Sequence, residues 1–401
     1  MNIIAGLDIG NGYVKGKLSV NDNIFTIDLP STVAYIATHK IDQMVTDTYM
    51  TDLVNKLDVT INSRIIKTID EGRVLVGRRA IVSGASLREF NIDDHTVKCQ
   101  DALSTILILS SISSVALQQY YKENKNLDLK KLDVDCSLAV ALPIEDYMQY
   151  KDLYKSNLMR DTHTVIVHNF DHDIVVNISF THVATLAEGA AGQYAISNMG
   201  AKFLQLALDD ARANGCKLSN EYTGQMLASA TNTIGIDIGE GTVNFPVFAN
   251  GSINIESSRS INKGYGTVLS NVVTNIRGTA YSFDSRKDLA DFMMLDNLMP
   301  SQKFVQKHVQ KILDDEIVVF TRDIIKEFSS IFRKIGARTD VIYVYGGGAS
   351  PVRKTLYPQL IEAVKLDDNN SVPVIYLDSA YSRDLNRSGL FNIAKMSLSA
   401  S

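Results

Sequence analysis

Cysteine is scarce in this sequence. Of 401 residues only Cys99, Cys136 and Cys216 are cysteine, and no two of them form a C-x-x-C pair. This number and spacing do not fit a disulfide framework or a cysteine-ligated metal site. Buried, reduced thiols in a cytoplasmic protein are the expectation that remains.

Basic stripes and long apolar runs are also lacking. The formal net charge is −5, and acidic and basic residues alternate along the whole chain. The sequence therefore shows no surface for direct binding to nucleic acid or to an anionic membrane. The N-terminus leads into an apolar strand without a charged leader, and no stretch is expected to supply the ~20 apolar residues that span a bilayer. We expect neither secretion nor membrane insertion.

Apolar residues are plentiful, and their pattern indicates two α/β halves. They make up 45% of the chain, enough for two large cores. Each half begins with a predicted strand hairpin and continues with an insertion and with helices or buried strands. The first half holds a long predicted helix over residues 101–124 and a buried strand that ends at Pro143. In the second half, residues 263–339 are predicted to be mostly helical.

The two hairpins carry the same motif. GLDIGNGYV begins at Gly6 and GIDIGEGTV begins at Gly235, and six of the nine aligned positions are identical. Glycines at such a turn let backbone N–H groups approach an anion that a Cβ would hold away. A turn of this kind is by itself common, but its presence in both halves favours a phosphate chain held by two hairpins.

Charged residues beside the two turns fit the same ligand. Asp8 and Asp237 suit a hydrated Mg²⁺, which proteins hold through one or two carboxylates, water and substrate phosphates. Lys15 follows on the outgoing strand, where it can reach the β- and γ-phosphates or point to solvent.

Two other phosphate motifs are excluded. The chain has no G-x-x-x-x-G-K-[ST] loop, since the nearest segment, over residues 11–18, fails at both ends. A dinucleotide fold requires glycines that open a helix, whereas Gly10 and Gly12 lead into a strand.

Four segments, in this order, resemble the motifs of the actin, Hsp70 and sugar-kinase superfamily. They are LDIGNGYVK, ALPIEDY, IDIGEGTVN and VYGGGAS, which look like the phosphate-1, connect-1, phosphate-2 and adenosine motifs. Within the superfamily, the size and the D-x-G-N-G-x-x-K form most resemble the bacterial actin-like ATPases that segregate plasmids, the ParM family.

The resemblance implies an actin-like α/β fold with mixed sheets flanked by helices and with the nucleotide in the cleft between two related domains. It implies domain IA over 1–33, 96–187 and 386–401, subdomain IB over 34–95, domain IIA over 188–262 and 340–385, and subdomain IIB over 263–339.

The resemblance also implies a set of site residues for ATP and Mg²⁺. Those that match phosphate 1 are Asp8, Gly10, Asn11, Gly12 and Lys15, and those that match phosphate 2 are Asp237, Gly239, Glu240, Gly241 and Thr242. Gly346, Gly347, Gly348 and Ala349 match the adenosine loop. Asp8 and Asp237 are expected to face Mg²⁺ through water.

Glu188 resembles the family's residue that positions the attacking water, and it is expected to act with Asp237 and Lys15 in catalysis. A helix first-turn carboxylate, favoured by the helix dipole, is the alternative for Glu188. Two features depart from the family's pattern: an insertion over 209–232, read as a surface excursion or an added filament contact, and Asn244 where Asp, Thr or Ser is common.

The implied function is a cytoplasmic ATPase that forms filaments and segregates plasmid DNA through a small DNA-binding adaptor at a centromere. Direct binding to nucleic acid or membrane is not expected, and the C-terminal tail is read as a helix that returns to the first domain. A metabolite kinase of the same superfamily is the alternative. An Hsp70-like chaperone fits less well because only about fifty residues follow the adenosine loop.

Overall fold

A computed structural model describes the chain except residues 38–44, 68–69, 91–96, 280, 368–369, 378, 383 and 400–401. The chain divides into two compact units. The first comprises Met1–Ala191 with Asn386–Ser401, and the second comprises Gly192–Leu385. Each unit has its own sheet and its own hydrophobic core.

The strands of the first unit are β1 (Asn2–Ile9), β2 (Tyr13–Val20), β3 (Asn23–Pro30), β4 (Thr32–Tyr35), β5 (Asp58–Asn62), β6 (Arg73–Val76), β7 (Leu87–Glu89), β8 (Lys131–Leu142), β9 (His163–Val167) and β10 (Ile174–Ala187). Those of the second are β11 (Thr233–Ile238), β12 (Val243–Phe245), β13 (Val247–Ala249), β14 (Ser252–Ile253), β15 (Arg259–Ile261), β16 (Val341–Tyr345) and β17 (Val374–Tyr376).

The helices, in chain order, are α1 (Asp47–Thr51), α2 (Arg78–Val82), α3 (Ala102–Asn124), α4 (Ile144–Arg160), α5 (Ala190–Ser197), α6 (Ala201–Ala213), α7 (Gly224–Ala228), α8 (Tyr265–Asn275), α9 (Arg286–Met293), α10 (Pro300–Ile335), α11 (Ala349–Ala363), α12 (Ser379–Ser382) and α13 (Leu385–Ser399). Short 3₁₀ helices lie at Leu53–Asn55, Lys98–Gln100 and Gly336–Arg338.

The first unit is built on a ten-stranded sheet in the order β3-β2-β1-β8-β10-β9-β5-β6-β4-β7. Strand β1 pairs antiparallel with β2 and parallel with β8, which in turn pairs parallel with β10. The strands of the predicted insertion over 34–95 continue this sheet, because β5 pairs with β9. The last seven residues of β8 are buried, as expected of a central strand covered on both faces.

Helix α3 is almost wholly buried in this unit, where it contacts β1 and β2. By length and composition it could cross a membrane, contrary to the expectation that no such stretch exists. However, 94% of its apolar window is buried inside the protein. Its apolar residues are therefore core residues of the sheet-and-helix unit.

Strand β10 contains a bulge between Phe180 and His182. Before the bulge the buried residues are even-numbered, at positions 174, 176, 178 and 180. After it, Val183, Leu186 and Ala187 are buried and Thr185 is only partly buried, so the strict alternation ends at the bulge. The extra residue, Thr181, is exposed, as a bulged residue can be without disturbing the core.

The second unit repeats the central pairing of the first. Strand β11 pairs antiparallel with β12 and parallel with β16, as β1 does with β2 and β8. Strand β17 extends the sheet parallel to β16. Helices α6 and α11 contact β17, and α10 packs on α8 and α11. The predicted relation between two α/β halves is confirmed by this shared topology.

Part of the 209–232 segment packs into the second unit's core rather than forming a surface excursion. Cys216 is buried there, with its Sγ 3.8 Å from the carbonyl of Val372. Asp210 pairs with Arg353 of α11 at 2.7 Å. These contacts hold the segment against the sheet and α11.

Several local predictions are confirmed, among them both hairpins, α3, α4, the helices of 263–339 and the three buried, unpaired cysteines. The pKa of Cys99 is raised to about 12, mainly by burial and secondly by the negative charge of nearby Asp146, so its thiol stays protonated. Strand β9 and helix α5 are not predicted from the sequence. The sequence also predicts a helix after Ser197 that reaches about Leu208; it is α6, which begins after Gly200, with φ +84°, and continues to Ala213.

The C-terminal helix α13 belongs to the first unit, as the sequence predicts. A Cβ at Gly6 would overlap the backbone of Phe391, which shows how closely α13 approaches β1. Ser137 of β8 donates a hydrogen bond of 2.9 Å to the carbonyl of Ala394.

We expect Gly6→Ala to destabilise the first unit by about 1–3 kcal/mol or more, because the new methyl group meets backbone that no rotamer change can move. Urea unfolding with far-UV circular dichroism measures the loss. Asn2→Ala, at an exposed position of the same strand, is the control. An unchanged unfolding midpoint for Gly6→Ala would contradict the packing described here.

Candidate functional site: two glycine hairpins and an ion pair

The β1–β2 turn is closed by a hydrogen bond of 3.0 Å from the N–H of Gly10 to the carbonyl of Tyr13. A Cβ on Gly10 would lie 2.7 Å from that carbonyl oxygen, so the turn requires glycine there. Ser31 fixes the turn from behind, because its hydroxyl donates to the Gly10 carbonyl at 2.7 Å and its N–H donates to the Gly12 carbonyl at 2.9 Å.

The β11–β12 turn has the same closure. The N–H of Gly239 donates to the carbonyl of Thr242 at 2.9 Å, and a Cβ on Gly239 would lie 3.1 Å from that oxygen. Within the residues that the structure describes, no protein acceptor is bonded to the N–H groups of Asn11, Gly12, Glu240 or Gly241. The two turns thus present equivalent pairs of N–H groups.

The first glycine of each motif has a different role. Gly6 allows the close approach of α13, and a Cβ on Gly235 would lie 2.6 Å from the hydroxyl oxygen of Tyr345 and 2.8 Å from Nε2 of Gln193. Both positions face packing contacts inside their own unit. The identity of Gly6 and Gly235 therefore reflects close packing and not phosphate contact.

The register of the hairpins places Lys15 opposite Asp8 and Asn244 opposite Asp237. Asn244 is buried and engaged within the protein: its amide donates to the hydroxyl of Thr242 at 3.3 Å and accepts from the hydroxyl of Ser260 at 2.6 Å. Only the first hairpin therefore places a cation across from its aspartate.

Asp8 is partly buried near Glu188, Lys15 and Lys98. Burial is the main reason that the pKa of Asp8 is raised, and the negative charge of Glu188 adds to it, while Lys15 and Lys98 act in the opposite direction. The end of β1 and the end of β10 thus bring two carboxylates and two ammonium groups into mutual electrostatic contact.

Glu188 follows β10, and its N–H donates to the carbonyl of Leu142 at 2.7 Å. Its carboxylate pairs with Lys98, with Oε1 3.0 Å from Nζ; the Lys98 and Glu188 side chains are only 9% and 13% exposed. Asp146 of α4 accepts the N–H of Lys98 at 3.0 Å. Burial, and then the charge of Glu188 among other groups, raises the pKa of Asp146.

Glu240, in the second turn, is tied to the helices that come after it. Its carbonyl accepts the N–H of Gly266 at 2.9 Å, and its carboxylate lies 3.0 Å from Arg286 of α9. The carbonyl of Gly239 accepts the N–H of Tyr265, at the start of α8. A Cβ at Gly264 would overlap the Glu240 carbonyl, so glycine is needed for this approach.

The glycines after β16 lie against the end of β11. Gly346 has φ +100°, and a Cβ there would lie 2.5 Å from Oδ1 of Asp237. The N–H of Gly348 donates to the carbonyl of Ile238 at 2.8 Å, and α11 begins at Ala349. Gly347 is exposed. Asp237 and the glycine loop are therefore packed together beside the second turn, within the second unit.

Comparisons with known proteins decide the family. The family model described as the N-terminal domain of actin-like proteins matches residues 6–190, and that of the C-terminal domain of the archaeal MreB-like actin homologue matches residues 235–357. The chain belongs to the actin-like proteins. Among curated proteins, no sequence matches it.

Solved structures confirm the fold of this actin-like protein. It is similar to the actin-like protein Alp7A, with a TM-score of 0.66, 16% identity and coverage of 100% of this chain and 98% of the other. It is also similar to Bacillus thuringiensis ParM with ADP, with a TM-score of 0.60 and 16% identity over 99% of each chain. For the archaeal actin homologue Ta0583 the TM-score is 0.62 and the identity 14%, with coverage of 98% of this chain and 99% of the other.

Within each unit, the residues that the sequence predicts for the site come together. Asp8, Lys15 and Glu188 share the first unit, whereas Asp237 and the glycine loop share the second. Sequence reasoning did not single out Lys98, Asp146 or Arg286. Asp146 lies inside the ALPIEDY motif, so it could have been found. Lys98 and Arg286 carry no sequence signal, since only folding brings them to their partners.

We expect Asp8→Asn to stabilise the actin-like protein at neutral pH in the absence of nucleotide and divalent metal. Because the folded-state pKa of Asp8 is raised, ionising Asp8 costs stability, and asparagine removes this cost. The gain shrinks as the pH falls through the raised pKa and disappears below the ordinary value of about 3.9, where Asp8 is neutral in both folded and unfolded chains.

Thermal unfolding in EDTA between about pH 7 and pH 4 measures this difference. Asp152→Asn, at an exposed position of α4, controls for the loss of a carboxylate. A wild-type protein at least as stable as Asp8→Asn at neutral pH would refute the prediction.

Proposed function

We propose that this actin-like protein is a cytoplasmic ATPase that assembles into filaments, with Mg-ATP hydrolysis controlling polymer stability. The duplicated hairpin carries the proposal: both turns present backbone N–H groups and an aspartate at the end of a central strand. Similar structures of Bacillus thuringiensis ParM contain ADP or ATP.

The phosphates are proposed to bind the N–H groups of Asn11, Gly12, Glu240 and Gly241, since Gly10 and Gly239 use theirs to close the turns. Gly10 and Gly239 contribute by keeping the turns tight, and Thr242 adds a hydroxyl beside the second one. Lys15, opposite Asp8, supplies positive charge for the β- and γ-phosphates. Residues 346–349, whose glycines pack closely against Asp237 and Ile238, are proposed to contact the adenosine.

Glu188 is proposed to orient the attacking water and accept its proton. The water oxygen forms a bond to the γ-phosphorus, the bond from that phosphorus to the β–γ bridging oxygen breaks, and its electron pair leaves with ADP. General-base assistance of this type is typically worth about 10²- to 10⁴-fold in rate. Glu188 lies near Asp8, at the end of β1 beside the proposed phosphate site, which supports this role.

Asp8 and Asp237 are proposed to hold Mg²⁺ through water, because Mg²⁺ prefers carboxylate and water oxygens. Burial and then the negative charge of Glu188 raise the pKa of Asp8, and a nearby cation would favour its ionised form. When bound, Mg²⁺ would offset the charge of the phosphate oxygens. No group of three or more His, Cys, Asp or Glu side chains able to hold a metal occurs in the described part of the chain, which is consistent with ligation through water and phosphate.

The filament is proposed to segregate plasmid DNA, with a small DNA-binding adaptor connecting it to a plasmid centromere. The resemblance to ParM supports this role. The net charge of −5 agrees with contact through an adaptor and not with direct binding of DNA. Head-to-tail contacts between unlike surfaces of identical chains can generate an open filament of this kind.

We expect Mg-ATP to raise light scattering above a critical protein concentration and to give filaments by electron microscopy, whereas ADP does not sustain them. A concentration series with ATP, ADP and no nucleotide measures the effect. Absence of filaments at all concentrations would contradict the polymer. Phosphate transfer only with an added hydroxyl acceptor would instead support the metabolite kinase.

We expect Glu188→Gln to slow phosphate release by about 10²-fold or more while nucleotide affinity stays near that of the wild type, because glutamine cannot accept the proton. Filaments formed with ATP should then persist longer. Phosphate release and nucleotide binding are measured in parallel, with exposed Glu221→Gln as the control. Unchanged turnover would remove Glu188 from catalysis.

A further inference from the structure

Lys98 is a buried lysine at the start of the segment that leads into α3. Its side chain is 9% exposed, and its Nζ lies 3.0 Å from Oε1 of Glu188. The same ammonium group lies 5.5 Å from the centre of the Phe90 ring. The lysine therefore points inward, with an aromatic ring and a carboxylate as its neighbours.

The backbone of Lys98 is fixed on both sides. Its N–H donates to Oδ2 of Asp146 in α4 at 3.0 Å, and its carbonyl accepts the hydroxyl of Ser104 in α3 at 2.8 Å. Two helices thus determine where the lysine side chain begins. A side chain anchored in this way can hold its partner in one orientation.

Burying a lysine and a glutamate is expensive, because both charges lose water. An ion pair in such a place often adds little net stability, although removing one partner alone is strongly destabilising. Well-packed apolar residues of similar volume often fill such a space at lower cost. The position of this pair beside Asp8 suggests a reason for keeping the charges.

We propose that Lys98 is a positioning residue for hydrolysis: it holds the Glu188 carboxylate in the orientation that directs the attacking water. The inference rests on the proposed ATPase function and adds a residue to it. Lys98 acts through Glu188 and makes no contact with nucleotide in this proposal. Asp146 contributes indirectly, by fixing the backbone from which Lys98 extends.

The first test compares Lys98→Met with Lys98→Arg in the full-length protein. Lys98→Met is expected to lower kcat on the order of 10- to 100-fold, with the affinity for Mg-ATP little changed, because a misplaced group costs rate and not binding. Lys98→Arg keeps a positive donor and should retain a kcat closer to that of the wild type. Unchanged kcat in Lys98→Met, or an equal loss in both variants, overturns the proposal.

Lys56→Met is the matched control. Lys56 is also a partly buried lysine of the first unit that pairs with a carboxylate, Asp52, at 3.4 Å and lies 4.6 Å from an aromatic ring, that of Tyr49. It has no contact with Glu188. Its loss should leave kcat unchanged, so a similar fall of kcat in Lys56→Met would overturn a specific role of Lys98.

The second test is a double-mutant cycle with Glu188→Gln. If Lys98 acts through Glu188, then Lys98→Met changes kcat little when Glu188 is already glutamine. If Lys98→Met lowers kcat by the same factor in both backgrounds, Lys98 acts independently of Glu188, and the proposal is overturned.

The same variants test the ion pair by thermal unfolding of the nucleotide-free protein. Lys98→Met should lower Tm, and the double variant should recover part of this loss. No recovery of Tm would contradict the ion pair itself.

The two proposals fail in different ways. If the wild-type protein binds Mg-ATP but releases no phosphate, the proposed ATPase is wrong. If the wild type hydrolyses ATP and Glu188→Gln is slow but Lys98→Met is not, only the role of Lys98 is wrong.

Discussion

The hydrogen bonding of one central strand in each unit fixes the position of the hairpin turns and of the aspartates beside them. A strand has two hydrogen-bonding edges, and β1 uses them for an antiparallel return strand and a parallel strand from later in the chain. Strand β11 uses its edges in the same way. This arrangement places a tight glycine turn and an aspartate at the end of a central, buried strand. Side chains at strand ends can then face a ligand while the strand itself stays covered.

The sequence was sufficient for the parts of the fold that depend on local pattern. Alternating apolar residues and turn glycines located both hairpins, and the long apolar period located α3. Strand β9 was missed because its five residues come after α4 without a turn signal and gain stability from pairing with β10 and β5. The exact start of α6 after Gly200 could not be predicted because one glycine in an apolar segment does not reveal a backbone with positive φ.

The candidate site shows a similar division. Motif residues such as Asp8 and Glu188 could be predicted because the segments around them resemble known motifs. Lys98 could not, since it lies 90 positions from Glu188 and its importance comes from burial of the pair. The glycines shared by the two motifs also have different roles: Gly6 allows α13 to pack closely, whereas Gly10 closes a turn. Glu240 was predicted at the second turn from its motif, but its side-chain partner Arg286 was not.

The bulge at Thr181 adds one residue to β10, and this extra residue affects which side chains the strand buries. Strand β10 buries every second side chain up to Phe180, and this alternation is lost after Thr181, before the strand ends one residue ahead of Glu188. Deleting Thr181 would shift one half of β10 by one residue against β8, and a shift of one residue turns side chains to the opposite face of the sheet. Thr181 is thus a spacer: it keeps the even-numbered side chains before it in the core while the strand continues to Glu188. Substitutions at this position should be tolerated far better than a change in the number of residues.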